Sequence, residues 1–412
     1  MIRSRDVISA AAVLAGLLLS PGQALSQISD DVVKIGVLND QSGVYADVTG
    51  QGSVIAAQMA VEDFGGTVLG KQVKVIFADH QNKADVGSAI VRKWIDQDGV
   101  DAIADVPTSS VGLAVQEITR EKKRVFLMSG PGTSDLTGKF CSPTGIAWTY
   151  DTYSLSKGLV SGLSSKGYKT WFVLAADYAF GQAMQRDITA FVESAGGKVV
   201  GGVRHPLNTA DFSSFLLTAQ SSKADVVALA NAGGDTVNAI KQASEFGLTQ
   251  AGQTLAGLLV TITDVNSLSL KTAEGLVVTT SFYWDMSDET RAWSKRFMSR
   301  NGGKVPNMMQ AGVYGAVLHY LKAIKAAGTD EATTVADQMK KMPINDFYTR
   351  DGVVREDGRV LRDMYVMQTK SPSESRYPFD YYKLLSVIPG RDAFRPISEG
   401  GCPFVKNSQA GQ

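Results

Sequence analysis

The sequence predicts an α/β protein of two lobes, each a parallel sheet flanked by helices, with several hinge crossings between them. Three observations carry this. Short apolar runs open repeatedly into polar loops and then into helical periodicity. The pattern stops near residue 150 and restarts at residue 169. After Ser281 come two further helical stretches and then alternating, antiparallel-like strands, text that suits returns to sheets already built.

The first 26 residues read as a secretory leader, expected outside the fold. Arg3 and Arg5 form a basic start, residues 7–19 are apolar, and Ala24, Leu25 and Ser26 provide small residues at a cleavage spacing. No cysteine stands at the cleavage point to take a lipid. No later apolar run is long enough to span a bilayer. About 385 residues then remain, more than one ordinary core holds. The 41 basic residues balance the 41 acidic ones. That balance argues against nucleic acid or an anionic membrane surface as partner.

The first strand, 32–38, opens into a polar loop from Asn39 to Tyr45. A helix follows with Ile55, Met59, Ala60 and Phe64 on one side, and Gly65 and Gly66 end it. A strand at 72–79 and a helix at 85–98 come next. The third strand, 102–104, runs into a loop ending in Pro107, Thr108, Ser109 and Ser110, and then into a helix with Val111, Ala114, Val115 and Ile118 on its apolar face. Proline is tolerated just before a helix. Hydroxyls beside the free N–H groups of a helix start can hold an anion without a formal positive charge, although the same residues also suit a plain cap. The fourth strand, 124–128, leads to a loop from Ser129 to Ser134.

The second series begins with a strand at 169–175, opening into Asp177, Tyr178, Ala179, Phe180 and Gly181, and a helix over 182–194. A strand at 198–203 leads to Arg204–His205–Pro206–Leu207–Asn208. Asp211 caps a helix carrying Phe212, Phe215 and Leu216. A strand at 225–230 opens into Asn231–Ala232–Gly233–Gly234–Asp235, and its helix ends at Phe246–Gly247. Strands at 254–259 and 276–280 close the series. Beyond Phe282–Tyr283–Trp284–Asp285, helices are expected over 289–300 and 310–326, and alternating strands over 351–366 and 381–387. The expected division is a leader (1–26), a first lobe (27–149 and 282–346), a second lobe (150–281 and 347–390) and a tail (391–412). A cleft lined by loops at the C-terminal strand ends should separate the lobes.

Only two cysteines occur, Cys141 and Cys402, both in polar, turn-rich text; in an oxidising compartment they can close one disulfide. Residues 65–71 spell a phosphate loop, but the segment runs helix to strand and Gln72 follows the lysine. His80, His205 and His319 lack metal-ligand spacing, so no metal and no cofactor is expected. His205, in a loop after a strand, is a candidate ligand contact. No nucleophile–base pair can be defended, so the chain reads as a binder and not an enzyme. A secreted hydrolase would have to rely on His205 as its base.

The chain resembles the type I periplasmic solute-binding proteins of the branched-chain amino-acid ABC transporter class. The resemblance rests on Ile35–Gly36–Val37 with Ser42–Gly43, on Thr108–Ser109–Ser110, on Asp177–Tyr178–Ala179–Phe180–Gly181, on Asp211–Phe212–Ser213, and on Tyr381–Tyr382–Lys383 with Ile388–Pro389–Gly390. It implies a periplasmic protein, a monomer, that captures a small ligand between hinged lobes and hands it to a separate permease and ATPases. By that likeness Thr108, Ser109 and Thr133 hold a carboxylate and Tyr45 packs on the ligand. Tyr178, Phe180 and residues around Asp235 close over it, and Tyr150 lies near the hinge on a crossing strand, 149–151.

One position departs from the family pattern. Amino-acid binders place an acid for the ligand's ammonium where this chain has Leu258, Leu259 and Val260. A leucine cannot pair that charge, and burying it unpaired costs several kcal/mol. The sequence therefore points to an aromatic or hydrophobic acid, such as a benzoate or phenylpropenoate derivative, as ligand. The run from Phe282 to Asp285 resembles members that carry such acids. A binder of branched-chain or hydrophobic amino acids, amides or urea, and a sensor subunit for a signalling partner, are the alternatives.

Overall fold

The computed structural model describes residues 28–405; the expected leader and residues 406–412 of the expected tail lie outside them. The first lobe is laid down by β1 (Val32–Asn39), α1 (Gly50–Phe64), β2 (Thr67–Val68), β3 (Lys71–Asp79), α2 (Ala84–Asp96), β4 (Ala102–Asp105), α3 (Ser109–Glu121), β5 (Val125–Met128) and β6 (Gly145–Ala147). Its sheet has the order β2-β3-β1-β4-β5-β6, parallel except for the short β2 edge. β4 and β5 are buried along their whole length, as an apolar strand covered on both faces must be. The amphipathic helices α2 and α3 pack together on one side, with Val91, Trp94, Val111, Val115 and Ile118 turned into the core.

The chain then crosses to the second lobe. α4 (Thr152–Ser164) is followed by β7 (Thr170–Ala176), α5 (Ala179–Ser194), β8 (Lys198–His205), α6 (Ser213–Ser221), β9 (Val226–Ala230), α7 (Gly233–Glu245), β10 (Thr254–Gly257), α8 (Ile262–Leu268), α9 (Leu270–Ala273) and β11 (Val277–Thr280). Here the parallel sheet has the order β10-β9-β7-β8. A second crossing leads to α10 (Asp288–Arg300), α11 (Met308–Ala327) and α12 (Ala332–Lys341), which return to the first lobe, α11 lying along α1. A small hairpin, β12 (Val353–Val354) with β13 (Val360–Leu361), precedes the third crossing. β14 (Met364–Thr369) then pairs antiparallel with β11, and β15 (Tyr382–Ile388) pairs antiparallel with β14 on its other side.

Several sequence expectations change. The expected strand at 276–280 is β11, but it joins the antiparallel sheet and not the parallel one. Residues 149–151 form no strand; Asp151 caps α4 through the Ser154 N–H, because a carboxylate beside a helix start satisfies a free donor more locally than a ladder would. The strand expected at 254–259 ends at Gly257, and Leu259 beyond it lines the slot between the lobes. Residues 347–361, expected in the second lobe, lie against the first: Phe347 stacks on Trp293, and Arg359 bridges to Ala147 at the end of β6. α4, α12 and β6 were not anticipated. Cys141 and Cys402 are joined, with their Cα atoms 5.6 Å apart.

Candidate ligand-binding site

The loops at the C-terminal ends of the strands meet between the lobes. The first is shaped by one buried carboxylate. Asp40 accepts the Gly43 N–H at 2.6 Å and the Tyr45 N–H at 2.9 Å, wrapping residues 40–45 into a turn. The Asn82 amide donates to the same carboxylate at 2.6 Å, and the Thr108 hydroxyl donates to the Asn82 carbonyl. Three loops are thus fastened together behind Tyr45.

The loop after β4 is strained. Asp105 and Val106 have φ of 77° and 60°, the left-handed region that a β-branched valine strongly disfavours. Such strain costs of order 1–3 kcal/mol per residue and survives only where the surroundings over-determine it. Those surroundings are visible. The Asp105 carboxylate accepts from Asn39 Nδ2 at 3.0 Å and from Ser129 Oγ at 3.2 Å, and the Val106 N–H donates to the Leu38 carbonyl at 2.9 Å. The result sets Pro107 on the cleft wall.

That wall consists of Tyr45, Val48, Pro107, Tyr150, Tyr178, Phe180, Ala232, Leu259 and Met309. The lobes touch across it. The Tyr45 and Tyr178 hydroxyls are 2.6 Å apart, and the Gly234 N–H donates to the Val44 carbonyl at 2.9 Å. At Gly132 the backbone lies so close that an added Cβ would come within 2.8 Å of the Phe180 ring and 2.9 Å of the Tyr150 ring. The slot left between these groups is only about 10 Å³, so a ring-sized ligand enters only when the lobes part.

No charged side chain lines this slot. Its electrostatics come from elsewhere. α3, α5 and α7 begin beside it, at Ser109, Ala179 and Gly233, and none of the three starts carries a side-chain cap. Their aligned dipoles favour a negative group beside the slot, although the Gly234 N–H of α7 is taken by the Val44 carbonyl when the lobes touch. Burial holds the Tyr45 and Tyr178 phenols far above their ordinary range, so both remain protonated donors.

Of the residues singled out from sequence, Tyr45, Tyr150, Tyr178, Phe180 and Leu259 are brought together on one wall. Thr108, Ser109 and Thr133 lie behind it, buried and already engaged: the Thr133 N–H donates to Ser109 Oγ at 3.1 Å. Asp235 follows the contact glycines, but its carboxylate accepts the Asn208 and Thr209 N–H groups at 3.0 and 2.9 Å. His205 is packed between Phe212 and Phe215, its Nε2 3.0 Å from Asn231 Nδ2 and its Nδ1 2.8 Å from the Pro206 carbonyl. Both ring nitrogens are occupied, and His205 does not line the slot. The run 282–285 is not on the wall. Phe282 packs on Trp293, Phe347 and Tyr348, and the Tyr283 hydroxyl and the Trp284 indole both donate to the Phe379 carbonyl at 2.9 Å.

A model of the periplasmic binding proteins matches residues 32–375 of the chain. The chain belongs to the periplasmic binding protein family. Among solved structures, this binding protein is similar to a periplasmic binding protein from Burkholderia mallei, with 48% identity and a TM-score of 0.89, over 91% of this chain and 100% of that one. A branched chain amino acid ABC transporter periplasmic ligand-binding protein from Burkholderia xenovorans LB400 is 42% identical, with a TM-score of 0.80, over 90% and 99% of the two chains. An ABC transporter solute-binding protein from R. palustris, solved in complex with benzoate, has a TM-score of 0.79 over 90% and 99%; at 19% identity it shares the fold. The relatives are solute-binding proteins, and this one is a binder and not an enzyme.

The buried Asp105 gives a pH test of the loop that carries Pro107. Burial pushes its carboxyl up to about 6. A carboxyl whose folded value lies above its unfolded value stabilises the fold when protonated, and that contribution is lost as pH rises from near 4 through 6. Asp105→Asn removes this loss. The melting temperature of the variant relative to wild type should therefore climb as pH rises across that window. A pH-independent difference would show that the Asp105 carboxyl binds protons alike in the folded and unfolded chain.

Proposed function

We propose that this protein is the extracytoplasmic solute-binding component of an ABC importer and captures a small aromatic or hydrophobic carboxylate in the inter-lobe cleft. The observation that carries this reading is the wall itself: aromatic and aliphatic side chains, no charge, and three helix starts beside it without side-chain caps. The apolar body of such an acid suits the side chains of Tyr150, Phe180, Leu259 and Met309. Its carboxylate suits the N–H groups of the helix starts and the two phenols. Leu259 stands on the wall where an ammonium would need an acid, and Asp235 is held by backbone donors. That disfavours ordinary amino acids.

Capture proceeds by hinge closure. The acid joins one lobe of an opened cleft, and the contacts that exist only on closure, such as those at Tyr45 and Tyr178, shift the population toward the closed form. The closed pair of lobes then presents a joint surface to a permease, with permease and ATPases supplied by other chains. We place the protein in the periplasm after removal of the leader, working as a monomer.

The test is a ligand panel read by melting temperature and calorimetry: benzoate, 4-hydroxybenzoate, leucine, valine, a short amide and urea. At roughly 100 Kd a bound ligand adds ~2.7 kcal/mol, which should raise the melting temperature by about 3 °C. Benzoate or 4-hydroxybenzoate should do so and leucine should not. Stabilisation by leucine or valine alone overturns the ligand class and leaves the fold and the hinge as they are.

A further inference from the structure

We propose that Arg359 is a positioning residue for the Tyr150 wall of the cleft, and that the disulfide-tethered C-terminal segment clamps it there. Tyr150 is pinned at both ends. Its hydroxyl donates to the Gly130 carbonyl of the first lobe at 2.6 Å, and its own carbonyl accepts from Arg359 Nη1 at 2.9 Å. Arg359 is 1% exposed, at the start of β13, where the Ala147 N–H donates to the neighbouring Gly358 carbonyl at 2.8 Å. Its fork also reaches the Val360 carbonyl at 3.2 Å, and the Asp151 carboxylate lies 3.9 Å away. One long side chain therefore joins the third crossing to the first.

A buried guanidinium is costly to leave uncompensated, and Arg359 Nη2 has no hydrogen-bond partner. Its face is covered by Phe394, whose ring centre lies 4.6 Å from the guanidinium carbon, at cation–π distance. Phe394 belongs to the C-terminal segment, and this segment is fastened repeatedly. Arg395 donates to the Ser134 carbonyl at 2.8 Å, and Arg355 donates to the Arg395 carbonyl at 2.9 Å. Lys157 of α4 donates to the Asp392 carbonyl, and Cys402 is bonded to Cys141. The path from the disulfide to the cleft runs Cys402, Arg395, Phe394, Arg359, Tyr150. No residue on it before Tyr150 lines the slot.

The functional half of this inference rests on the binding reading of the cleft; the positional half does not. Two measurements separate them. Amide hydrogen exchange of the protein without ligand should quicken about tenfold across residues 150–155 in Arg359→Lys and in Phe394→Ala, with β1 unchanged. Phe394→Tyr, which keeps the ring face, should restore wild-type exchange, and Phe404→Ala, an exposed position in the same segment, should leave it unchanged. Benzoate affinity by calorimetry should fall about tenfold in the first two variants and recover in Phe394→Tyr. Exchange at 150–155 that matches wild type in both Arg359→Lys and Phe394→Ala overturns the proposal. If Arg359→Lys does not fold, the Phe394 pair decides alone. Failure of wild type to bind benzoate overturns the ligand class, and the exchange arm still decides the positioning role.

Discussion

Alanine in place of Gly233 is expected to weaken ligand binding by about 100-fold, ~2.7 kcal/mol, while leaving each lobe folded. Gly233 stands at the start of α7 with φ of 57° and faces the first loop of the other lobe. A Cβ there would lie 2.3 Å from the Val44 carbonyl oxygen and 3.0 Å from the Tyr45 ring. Neither can retreat cheaply: Val44 is held by the adjoining Gly234 N–H, and Tyr45 by the Asp40 turn. The lobes would stop short of contact, and every interaction formed only on closure would be lost. The left-handed φ alone costs about 1 kcal/mol for alanine. Gly328→Ala supplies the control, since Gly328 has φ of 73° and nothing within 4 Å of an added Cβ. Both variants should melt slightly earlier than wild type, but only Gly233→Ala should lose affinity and keep the larger, open radius in small-angle scattering. Equal affinity in the two would mean that the closed contact at Val44 contributes nothing to capture.

The second large effect is on stability. The Cys141–Cys402 bond spans a sequence separation of 261 residues, so it removes much chain entropy from the unfolded state. The chain-entropy relation puts this at about 5.6 kcal/mol for a loop of that size, and measured losses of native disulfides run at ~2–5 kcal/mol. Replacing both cysteines by serine should lower the urea midpoint accordingly, and wild type in reductant should match the variant. Cys141 is fully buried, so part of the loss will come from an unsatisfied serine hydroxyl; Cys141→Ala with Cys402→Ser separates that part. A midpoint unchanged within ~0.5 kcal/mol in both double variants would show that the unfolded chain gains nothing from release of the loop.

What could be read from sequence and what could not divides along physical lines. β1, β4, β5, β7 and β9 were legible because a strand buried on both faces must be continuously apolar, and each is followed by a polar loop at the end where ligands bind. Tyr45, Tyr178 and Phe180 lie in or just beyond such a loop, and they line the slot with Tyr150 and Leu259, which were expected on strands and singled out by the family resemblance alone. Val48, Pro107, Ala232 and Met309 were not legible. Met309 reaches the wall from the first turn of a helix that arrives after two crossings, and nothing local distinguishes it from a core methionine. Thr108, Ser109 and Thr133, expected on a ligand carboxylate, lie off the wall and are buried. A polar residue near a helix start has two uses, and here the hydroxyls of Thr108 and Ser109 stitch neighbouring loops together. Asp40 was overlooked as a positioning group because a turn-forming aspartate carries no signal of what its turn holds. The segment 347–361, expected in the second lobe, touches β6 through a single bridge from Arg359 to Ala147, and one bridge leaves almost no trace in local periodicity.

The three crossings have a consequence for anyone who would cut or rewire this chain. Each lobe is assembled from stretches far apart in sequence, so no single scission releases a self-standing half. A fluorescent reporter inserted at a crossing would sever the joint it was meant to report on. Grafting at the turn after α1, where Gly65 and Gly66 have nothing within 4 Å of an added Cβ, leaves all three crossings whole and offers the better route to a biosensor.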